Sequence, residues 1–418
     1  MEDVVTDGPP AAAIVTPDSL VLPLAEVGSM GTVSRPTGVG ELDRVLGGGL
    51  VAGSVTLIGG EPGIGKSTLV LQALAQMAEH GARCLLVTGE ESPEQVRARA
   101  QRLHALPASL LVVAETSLPC VLAHAGTVRP DVLAIDSVQT LHDPDSAGAA
   151  GSVTQVRDGA ARVVRYAKEH NLATLLVGHV TKDGALAGPR ALEHVVDTVL
   201  SFDGDRHHAL RMLRATKHRF GPTDELGVLE MAEQGLRGVP DASAMFLADR
   251  QPGACGSVIA PVMDGNRPLL VELQALVSPT KAPLPRRVAH ALDNSRVSML
   301  TAVLQRWASV QLADNDVYTS VAGGARVAEP GADLALALAI AAAANNRAVP
   351  GDTVVLGEVG LGGEVRQVAH APRRLAEAAR LGFTRAVVPQ STPDVPGIRL
   401  FRVTDLCASM RVLQKAPT

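Results

Sequence analysis

The sequence predicts an α/β fold, with a parallel-sheet domain followed by an α+β domain. Apolar, β-rich runs alternate with helical patterns from Val55 to about Phe202, and this alternation is typical of strands joined by crossover helices. A second composition begins near Cys255, where two strand-like runs flank the turn at 264–266. The length of 418 residues suits two or three domains.

Each element of the first domain follows from its own pattern. Residues 1–33 are rich in Pro, Ala, Gly and Val without a sustained period, so we expect a mostly flexible leader. The predicted elements that follow are strand 55–60 with helix 67–80, strand 84–89 with helix 93–103, strand 132–137 with helix 153–170, and strands 173–180 and 198–202. We place the two domains at 34–240 and 253–418, with a linker at 241–252.

The composition excludes several classes of protein. Apolar residues make up 46% and charged residues 19%, which excludes a largely disordered chain or a coiled coil. The net charge of −5 means that any nucleic acid must meet local basic surface, and the 2% of aromatic residues are too few for a base-stacking platform. Contacts with nucleic acid should therefore favour the phosphate backbone.

The cysteines and the N-terminus bear on the cellular compartment. Cys84, Cys120, Cys255 and Cys407 form no C-x-x-C pair, so we expect neither a zinc site nor a disulfide framework, and a reducing compartment fits. The first residues lack the basic segment of a secretory signal. The longest apolar run, Leu334–Ala344, is about half as long as a membrane span requires. We therefore expect a cytoplasmic protein that does not enter a membrane.

The strongest motif is a phosphate-binding loop. It matches G-x-x-x-x-G-K-[ST] in full between a predicted strand and a predicted helix, and it consists of Gly60, Glu61, Pro62, Gly63, Ile64, Gly65, Lys66 and Ser67, with Thr68 next. The glycines let backbone N–H groups converge on phosphate oxygens at the positive end of a helix. Lys66 would add a charge at the β- and γ-phosphates, and Ser67 would ligate Mg²⁺. The alternative is a chance glycine-rich turn, which the flanking elements disfavour.

Further polar residues follow predicted strands at the same edge of the sheet. Asp136 ends an apolar run, as expected for a carboxylate that holds the metal's water shell, although a capping aspartate is the alternative. Glu90 and Glu91 follow strand 84–89 at the same carboxyl edge of the sheet, and we predict that Glu90 orients the attacking water. The alternative is that both glutamates serve the N-terminus of helix 93–103. His179 would sense the γ-phosphate or pack as a core histidine.

Two basic segments complete the candidate residues. The stretch 181–194 contains glycine and proline and carries Lys182 and Arg190; it predicts a mobile loop that meets a polyanion, or else an ordinary solvated loop. Lys217 and Arg219 lie two residues apart, so in a strand both point to one face. They would act as cationic fingers on a neighbouring subunit's γ-phosphate, or form an exposed basic strand.

Six motifs occur in one order along the chain: GEPGIGKST, GEES, VLAIDSVQT, GHVTKDGALAGPR, TKHRFG and GEVGLGGEVRQV. This order resembles the bacterial RadA family, also called Sms, from roughly Arg35 to the C-terminus. The resemblance implies a RecA-like P-loop ATPase that forms a hexameric ring and uses ATP and Mg²⁺. It also implies binding of single-stranded and branched DNA, branch migration in homologous recombination and DNA repair, and a RecA-type recombinase as a candidate partner.

The resemblance also assigns roles to individual residues. It implies that Lys66 and Ser67 bind phosphate and Mg²⁺, that Asp136 binds the metal and that Glu90 binds the water. It also aligns Lys217 and Arg219 with the family's K-N-R-F-G motif. Two features depart from the family pattern. Members usually begin with a four-cysteine zinc finger, which this sequence does not contain, and His218 stands where the motif has Asn. We expect the cations beside His218 to keep their role as fingers.

The C-terminal part is similar to the Lon protease domain, which makes an ATP-dependent peptidase the chief rival hypothesis. Lon-type peptidases need a Ser nucleophile and a Lys base, but the matching stretches read Pro-Gly-Ala-Asp at 330–333 and Ala-His-Ala-Pro at 369–372. We therefore expect a non-proteolytic, Lon-protease-like scaffold for subunit contacts. Candidate DNA-facing cations in this part, which are otherwise ordinary surface charges, are Arg286, Arg287, Arg373 and Arg374. The other alternative is a regulatory or protein-remodelling ATPase ring.

Overall fold

The α/β class predicted from the sequence is confirmed. The structure is a computed structural model that describes residues 34–179, 192–204 and 210–414, and all of these belong to one compact unit. Two separate stretches of this unit form two large sheets. Within the described ranges, no helix combines the length and the apolar character needed to cross a bilayer.

A short strand pair precedes the first large sheet. It consists of β1 (Ser34–Arg35) and β2 (Leu50–Val51). In the described part of the chain, the first large sheet contains β3 (Val55–Gly60), β4 (Cys84–Thr88), β5 (Leu110–Ala114), β6 (Val132–Asp136), β7 (Ala173–His179), β8 (Thr198–Asp203), β9 (Leu210–His218), β10 (Leu226–Ala232) and β11 (Gly235–Gly238). The helices of this half are α1 (Gly40–Val45), α2 (Lys66–Glu79), α3 (Pro93–Arg102), α4 (Leu118–Val128) and α5 (Val153–Glu169).

The order of the first sheet explains where polar side chains gather. Its strands lie in the order β11-β10-β9-β8-β3-β7-β6-β4-β5, and those from β8 to β5 are parallel. The carboxyl ends of the parallel strands therefore meet at one edge, where ligands of open α/β sheets bind. The predicted strand and helix pairs are confirmed, whereas β5 and α4 are additional. β5 is a continuous apolar run, LLVVA, although it lies at the sheet edge with partly exposed side chains.

The second half is built on a seven-stranded sheet in the described residues. Its strands are β12 (Ser257–Asp264), β13 (Arg267–Pro279), β14 (Arg287–His290), β15 (Asn315–Val321), β16 (Thr353–Val355), β19 (Arg385–Pro389) and β20 (Arg399–Val403), and β17 (Glu358–Val359) pairs separately with β18 (Val365–Arg366). The helices are α6 (Ala242–Phe246), α7 (Asn294–Ala308), α8 (Asp333–Ala344), α9 (Ala371–Arg380) and α10 (Leu406–Gln414). The strand order is β14-β15-β13-β12-β16-β19-β20. α8 is apolar on all sides because it runs through the core of this half.

The stretch 241–252, expected as a linker, contains the helix α6. The Asp241 side chain caps this helix by accepting a hydrogen bond from the Ala244 N–H at 2.9 Å. Ala242 and Phe246 are buried in the core that the second sheet shares with α7 and α8. Much of the expected linker is therefore packed structure.

The hairpin turn predicted at residues 264–266 is confirmed, and it joins the two halves of the unit. β12 and β13 pair up to Asp264 and Arg267, and Gly265 takes a left-handed φ of 58°. The Arg267 guanidinium donates to Glu41 of α1 at 2.7 Å. It also donates to the backbone carbonyls of Leu226, Val239 and Pro240.

A second ion pair strengthens this joint. Arg214 of β9 donates through Nε to the Asp264 carboxylate at 3.0 Å, and a second guanidinium nitrogen contacts the same carboxylate. The Asn266 side-chain amide donates to the Asp224 carboxylate. The hairpin of the second half is therefore bonded to α1, β9 and the turn before β10.

Candidate functional site

The phosphate loop lies between β3 and α2, as its motif predicts. Gly63 and Gly65 take left-handed φ values of 78° and 114°, which favour glycine. The Lys66 side chain is folded over the loop, and its Nζ donates to the carbonyl oxygens of Gly60 and Glu61 at 2.9 Å each. Burial lowers the pKa of Lys66, and nearby Asp136 and Glu90 oppose that shift. The loop therefore holds a buried cation next to two carboxylates.

Asp136 and Glu90 come together because β6 and β4 are neighbours. Thr88 of β4 pairs with Asp136 of β6, so the residues that follow each strand lie at the same edge. The Ser137 hydroxyl donates to Glu90 Oε1 at 2.7 Å. The carboxylate of Asp136 and the hydroxyl of Ser67 are hard oxygen donors of the kind that Mg²⁺ prefers. These residues fit a nucleotide–Mg²⁺ complex at the loop.

The structure separates the two glutamates that the sequence leaves as competitors. Glu91 forms an ion pair with Arg99, two turns into α3. Ser92 forms a reciprocal capping box with Gln95 at the start of the same helix. Glu91 is therefore tied to the next helix, whereas Glu90 contacts Ser137, the residue after Asp136.

His179 lies at the end of β7. The register of β3 and β7 pairs Gly60 with His179, which places its backbone beside the first residue of the phosphate loop. That His179 senses the γ-phosphate, or packs as a core histidine, stays a prediction.

Lys217 and Arg219 lie at the opposite edge of the sheet from their own phosphate loop. Lys217 pairs with Val199 near the start of β8, whereas the loop begins where β3 meets Phe202 near the end of β8. Three to four residues of strand separate these positions, about 10–13 Å at the usual rise. Neither cation can serve the loop of its own chain without leaving the sheet.

Both cations are held by the chain segment before β8. Lys217 Nζ donates to the carbonyl oxygens of Glu193 and Val196 at 2.5 and 2.7 Å, and burial lowers its pKa. Arg219 donates to Asp197 Oδ1 at 3.3 Å. The Arg219 side chain remains 54% exposed, so it is accessible at this edge.

His218, which stands in place of the family's Asn, is a structural part of the same turn. Its Nδ1 is 2.9 Å from the Thr198 hydroxyl, and burial lowers the pKa of the imidazole. A Cβ at Gly221 would lie 2.9 Å from the ring, so the ring packs closely on the glycine of the motif. A neutral ring at this position adds no charge between the two finger cations.

The predicted DNA-facing cations differ in exposure and in hydrogen-bond partners. Lys182 and Arg190 lie outside the described residues. Arg286 is exposed. The Arg287 guanidinium instead donates to three carbonyl oxygens, those of Arg286, Leu312 and Asn315. Its donors face its own domain, which removes Arg287 from the candidate DNA contacts.

Arg374 is not a surface cation, which corrects the expectation from the sequence. Its side chain is 3% exposed, and Nη2 donates to Glu329 Oε2 at 2.6 Å. It also donates to the carbonyl oxygens of Pro261 and Ala369. Arg374 therefore holds β12 against the cleft where a Lon-type peptidase would have its nucleophile. Arg373, the residue before it, is exposed.

The cleft around 330–333 contains a second buried ion pair. Arg296 of α7 donates through Nε to Asp333 Oδ1 at 2.7 Å, and a second nitrogen contacts the other carboxylate oxygen. Asp333 also accepts from the Val359 N–H. Gly331 thus stands where a peptidase would have its nucleophilic serine, and it is followed by Ala332 and by Asp333, which is ion-paired with Arg296.

Sequence reasoning missed one residue that contacts the phosphate loop. Arg211 of β9 is 6% exposed and donates to the Ile64 carbonyl at 3.1 Å. In the sequence Arg211 is one of three basic residues of β9, with Arg214 and Lys217, and nothing local distinguishes it from them. The contact of Arg211 with the phosphate loop arises because β9 pairs antiparallel with β8.

Comparisons with known proteins agree with this architecture. A family model described as ATPase: KaiC matches residues 35–107, and one described as subunit ChlI of Mg-chelatase matches residues 286–392. The protein named DNA repair protein RadA in Pseudomonas aeruginosa is 50% identical over 386 residues, 92% of this chain and 85% of the relative.

Two further relatives carry the same name. The protein in Halalkalibacterium halodurans is 49% identical over 353 residues, 84% of this chain and 77% of the relative. The protein in Mycolicibacterium smegmatis is 45% identical over 406 residues, 96% of this chain and 87% of the relative. Identity of this size along most of both chains shows that this chain belongs to the RadA family.

Proposed function

We propose that this protein is a Mg²⁺-dependent ATPase of DNA repair and homologous recombination, which binds single-stranded and branched DNA and drives branch migration. The observation that carries the ATPase is the arrangement of Lys66, Glu90 and Asp136 at one sheet edge, with Glu90 held by Ser137. The relatives named DNA repair protein RadA support the process. Such a protein acts where chromosomal DNA is, so we place it in the cytoplasm.

The residues divide the chemistry among them. The loop N–H groups, Lys66 and Thr68 would bind the phosphates. Ser67 and Asp136 would hold Mg²⁺, which would supply positive charge to the phosphoryl group. Glu90 orients the attacking water and accepts its proton. His179, beside Gly60, senses the γ-phosphate.

A ring assembly follows from the position of the fingers. Because Lys217 and Arg219 lie at the edge opposite their own loop, they act on a neighbouring subunit, as cations do that stabilise a transferring phosphoryl group in trans. A heterologous contact of this kind closes into a ring when the rotation between subunits allows it. We propose a homo-hexamer, with a RecA-type recombinase as a partner.

Mixing two inactive variants tests this arrangement. Lys66→Ala subunits keep their fingers, and the double variant Lys217→Ala, Arg219→Ala keeps its loop. Exchanged mixtures should recover hydrolysis, because some interfaces pair an intact loop with intact fingers. Particle masses must show that both variants still assemble. Mixtures that exchange subunits without recovering activity would place both cations in the service of their own chain or of DNA.

DNA binding depends on the loop that carries Lys182 and Arg190, together with the exposed Arg286. Binding to phosphates releases counterions, so affinity should fall steeply with salt and depend little on base sequence. Lys182→Ala should weaken binding nearly uniformly across sequences and reduce the salt slope by about 1. Salt-independent, sequence-selective binding would contradict this mode. ATP hydrolysis that single-stranded DNA does not stimulate would favour a regulatory ring instead.

A further inference from the structure

Strand β9 carries Arg211, whose side chain contacts the phosphate loop at the Ile64 carbonyl. Arg211 is 6% exposed, within a strand whose neighbouring residues Leu210 and Leu213 belong to the apolar cores. A guanidinium is costly to bury unless polar groups surround it. Arg211 Nε donates to the Ile64 carbonyl at 3.1 Å, and Nη1 donates to the Leu210 carbonyl at 2.9 Å.

The carbonyl that Arg211 holds belongs to the centre of the phosphate loop. Ile64 lies between Gly63 and Gly65, whose left-handed φ values give the loop its shape. The Ile64 side chain is 2% exposed and points into the core of the first half. Side chain and carbonyl of Ile64 are thus both fixed on the protein side of the loop.

Fixing this carbonyl also fixes an N–H group. The Ile64 carbonyl and the Gly65 N–H belong to one planar trans peptide, so they point in opposite directions. When Arg211 draws the carbonyl toward β9, the Gly65 N–H is turned to the other side, toward the position that phosphate takes in such loops. Gly65, on one side of this peptide, tolerates either orientation of the peptide plane, so a hydrogen bond to the carbonyl selects one of them.

We propose that Arg211 is a positioning residue of the ATP site, which holds the Ile64–Gly65 peptide with its N–H directed at the phosphates. The inference rests on the proposed function in one respect, namely that the loop binds ATP. It adds a residue outside the loop motif, reached from the antiparallel part of the sheet. In this role Arg211 acts on the ATP site through the loop backbone.

The geometry of Arg211 explains why arginine suits this position. Its planar fork presents donors in fixed directions, which allows one side chain to bond the carbonyls of Ile64 and Leu210 together. Gly204 leaves room for the side chain, since a Cβ there would lie 2.7 Å from Arg211 Cδ. Lysine carries the same charge without the fork, so Arg211→Lys should restore only part of the effect.

The test compares Arg211→Met and Arg211→Lys with a control, Arg237→Ala, in the full chain. Arg237 lies on the same sheet but is 76% exposed and pairs with Glu230. MgADP affinity and amide hydrogen exchange of residues 60–67 are measured with and without saturating MgADP. We expect Arg211→Met to weaken MgADP binding about tenfold to a hundredfold, the range for losing a hydrogen bond to a charged donor. Arg211→Lys should lie between Met and wild type, and Arg237→Ala should match wild type.

Hydrogen exchange separates positioning from general support of the fold. In wild type, MgADP should protect the Gly65 amide, whereas in Arg211→Met this amide should stay unprotected even when the site is saturated. KM for ATP should rise with kcat at saturation nearly unchanged. Loss of core support would instead raise exchange across β9 and β8 without nucleotide and leave the MgADP-induced protection intact.

Each remaining outcome decides the question. Wild-type affinity and wild-type protection in Arg211→Met would overturn the role of Arg211 while leaving the ATP site in place. If Arg211→Met does not fold, a folded Arg211→Lys with wild-type affinity overturns the proposal, and failure of both variants to fold shows that Arg211 serves the fold instead. A wild-type protein that neither binds MgADP nor protects 60–67 overturns the ATP site, and the inference falls with it.

Discussion

The phosphate-loop cleft and the cleft at residues 329–333 both bury charged side chains, but their charges have different partners. In the first, Lys66 donates to backbone carbonyls and Glu90 accepts from a hydroxyl. In the second, Asp333 and Glu329 are each held by an arginine. The Lys66 ammonium donates to neutral carbonyls with two carboxylates nearby, whereas the carboxylates of the second cleft are each bound directly by a guanidinium.

This difference separates a reactive site from a structural one. A hydrogen bond to a neutral carbonyl is weaker than a charge-assisted bond between ions, so Lys66 can exchange its carbonyl partners for a phosphate. A buried ion pair resists exchange because removal of one partner strands the other in a low-dielectric interior. Burial of charge alone therefore does not identify an active site.

The largest expected effect is in the first cleft. Lys66→Ala should lower ATP turnover about a thousandfold or more, on the scale of removing a cation from a transferring phosphoryl group. The apo protein should keep its circular dichroism, because the substitution removes a charge and two hydrogen bonds to loop carbonyls and no apolar core side chain. Wild-type turnover in a folded variant would contradict the assignment of this site.

The next effect separates the two neighbouring glutamates. Glu90→Gln should bind ATP normally yet hydrolyse it about a hundredfold more slowly, the loss expected when a general base is removed. Glu91→Gln should cost far less, since Glu91 pairs with Arg99 in α3. Single-turnover hydrolysis and nucleotide binding, measured together, decide between them. A slower Glu91→Gln would reverse the assignment.

The second cleft should respond in stability instead of rate. Arg374→Ala removes the buried guanidinium that binds the partly exposed Glu329, and the loss of hydrogen bonds to a charged group costs about 1.5–3 kcal/mol of unfolding free energy. Arg373→Ala, at the exposed neighbouring position, is the matched control and should change the unfolding free energy by less than about 0.5 kcal/mol. Urea unfolding of both variants measures this. Equal stability of the two would mean that Arg374 is dispensable in the cleft.

The smallest change in stability is expected for the exposed ion pair between Arg380, at the end of α9, and Asp241, the N-cap of α6. The Arg380 guanidinium holds the pKa of Asp241 below its usual range. Because the folded pKa is lowered, the stabilisation is present above the unfolded pKa of about 3.9 and is lost as pH falls through the folded value. Asp241→Asn should cost about 0.5 kcal/mol at pH 7, and the difference from wild type should shrink as pH falls below the unfolded pKa and vanish once the pH is below the folded one. A pH-independent difference would show that the charge is not its cause.

What the sequence predicts correctly depends on how local the signal is. The phosphate loop is contiguous, and Glu90 and Asp136 each end a strand, so strand adjacency alone brings them together. The partners of Arg374 could not be predicted in this way, because Glu329 lies 45 residues away on another element. Arg287 and Arg374 look like surface charges in a one-dimensional pattern because their neighbours Arg286 and Arg373 are exposed.

Arg211 illustrates the same limit for the functional site. Its contact with Ile64 spans 147 residues and passes through the reversal of chain direction between β8 and β9. The motif specifies the residues that meet phosphate and contains no trace of the residue that orients them. Where an anchor of this kind lies depends on topology, which a local pattern does not encode.

The Arg267 joint constrains how genes that encode such chains can be rearranged. Glu41 is 4% exposed, and the cation that balances it lies 226 residues later on the other half of the chain. A recombination event that attaches a foreign C-terminal half would remove the cation that donates directly to this carboxylate and leave it with the more distant Arg44 of its own helix, at 3.8 Å, unless the incoming hairpin also supplies an arginine. A substitution of Glu41 or of Arg267 therefore favours a compensating change at the other position.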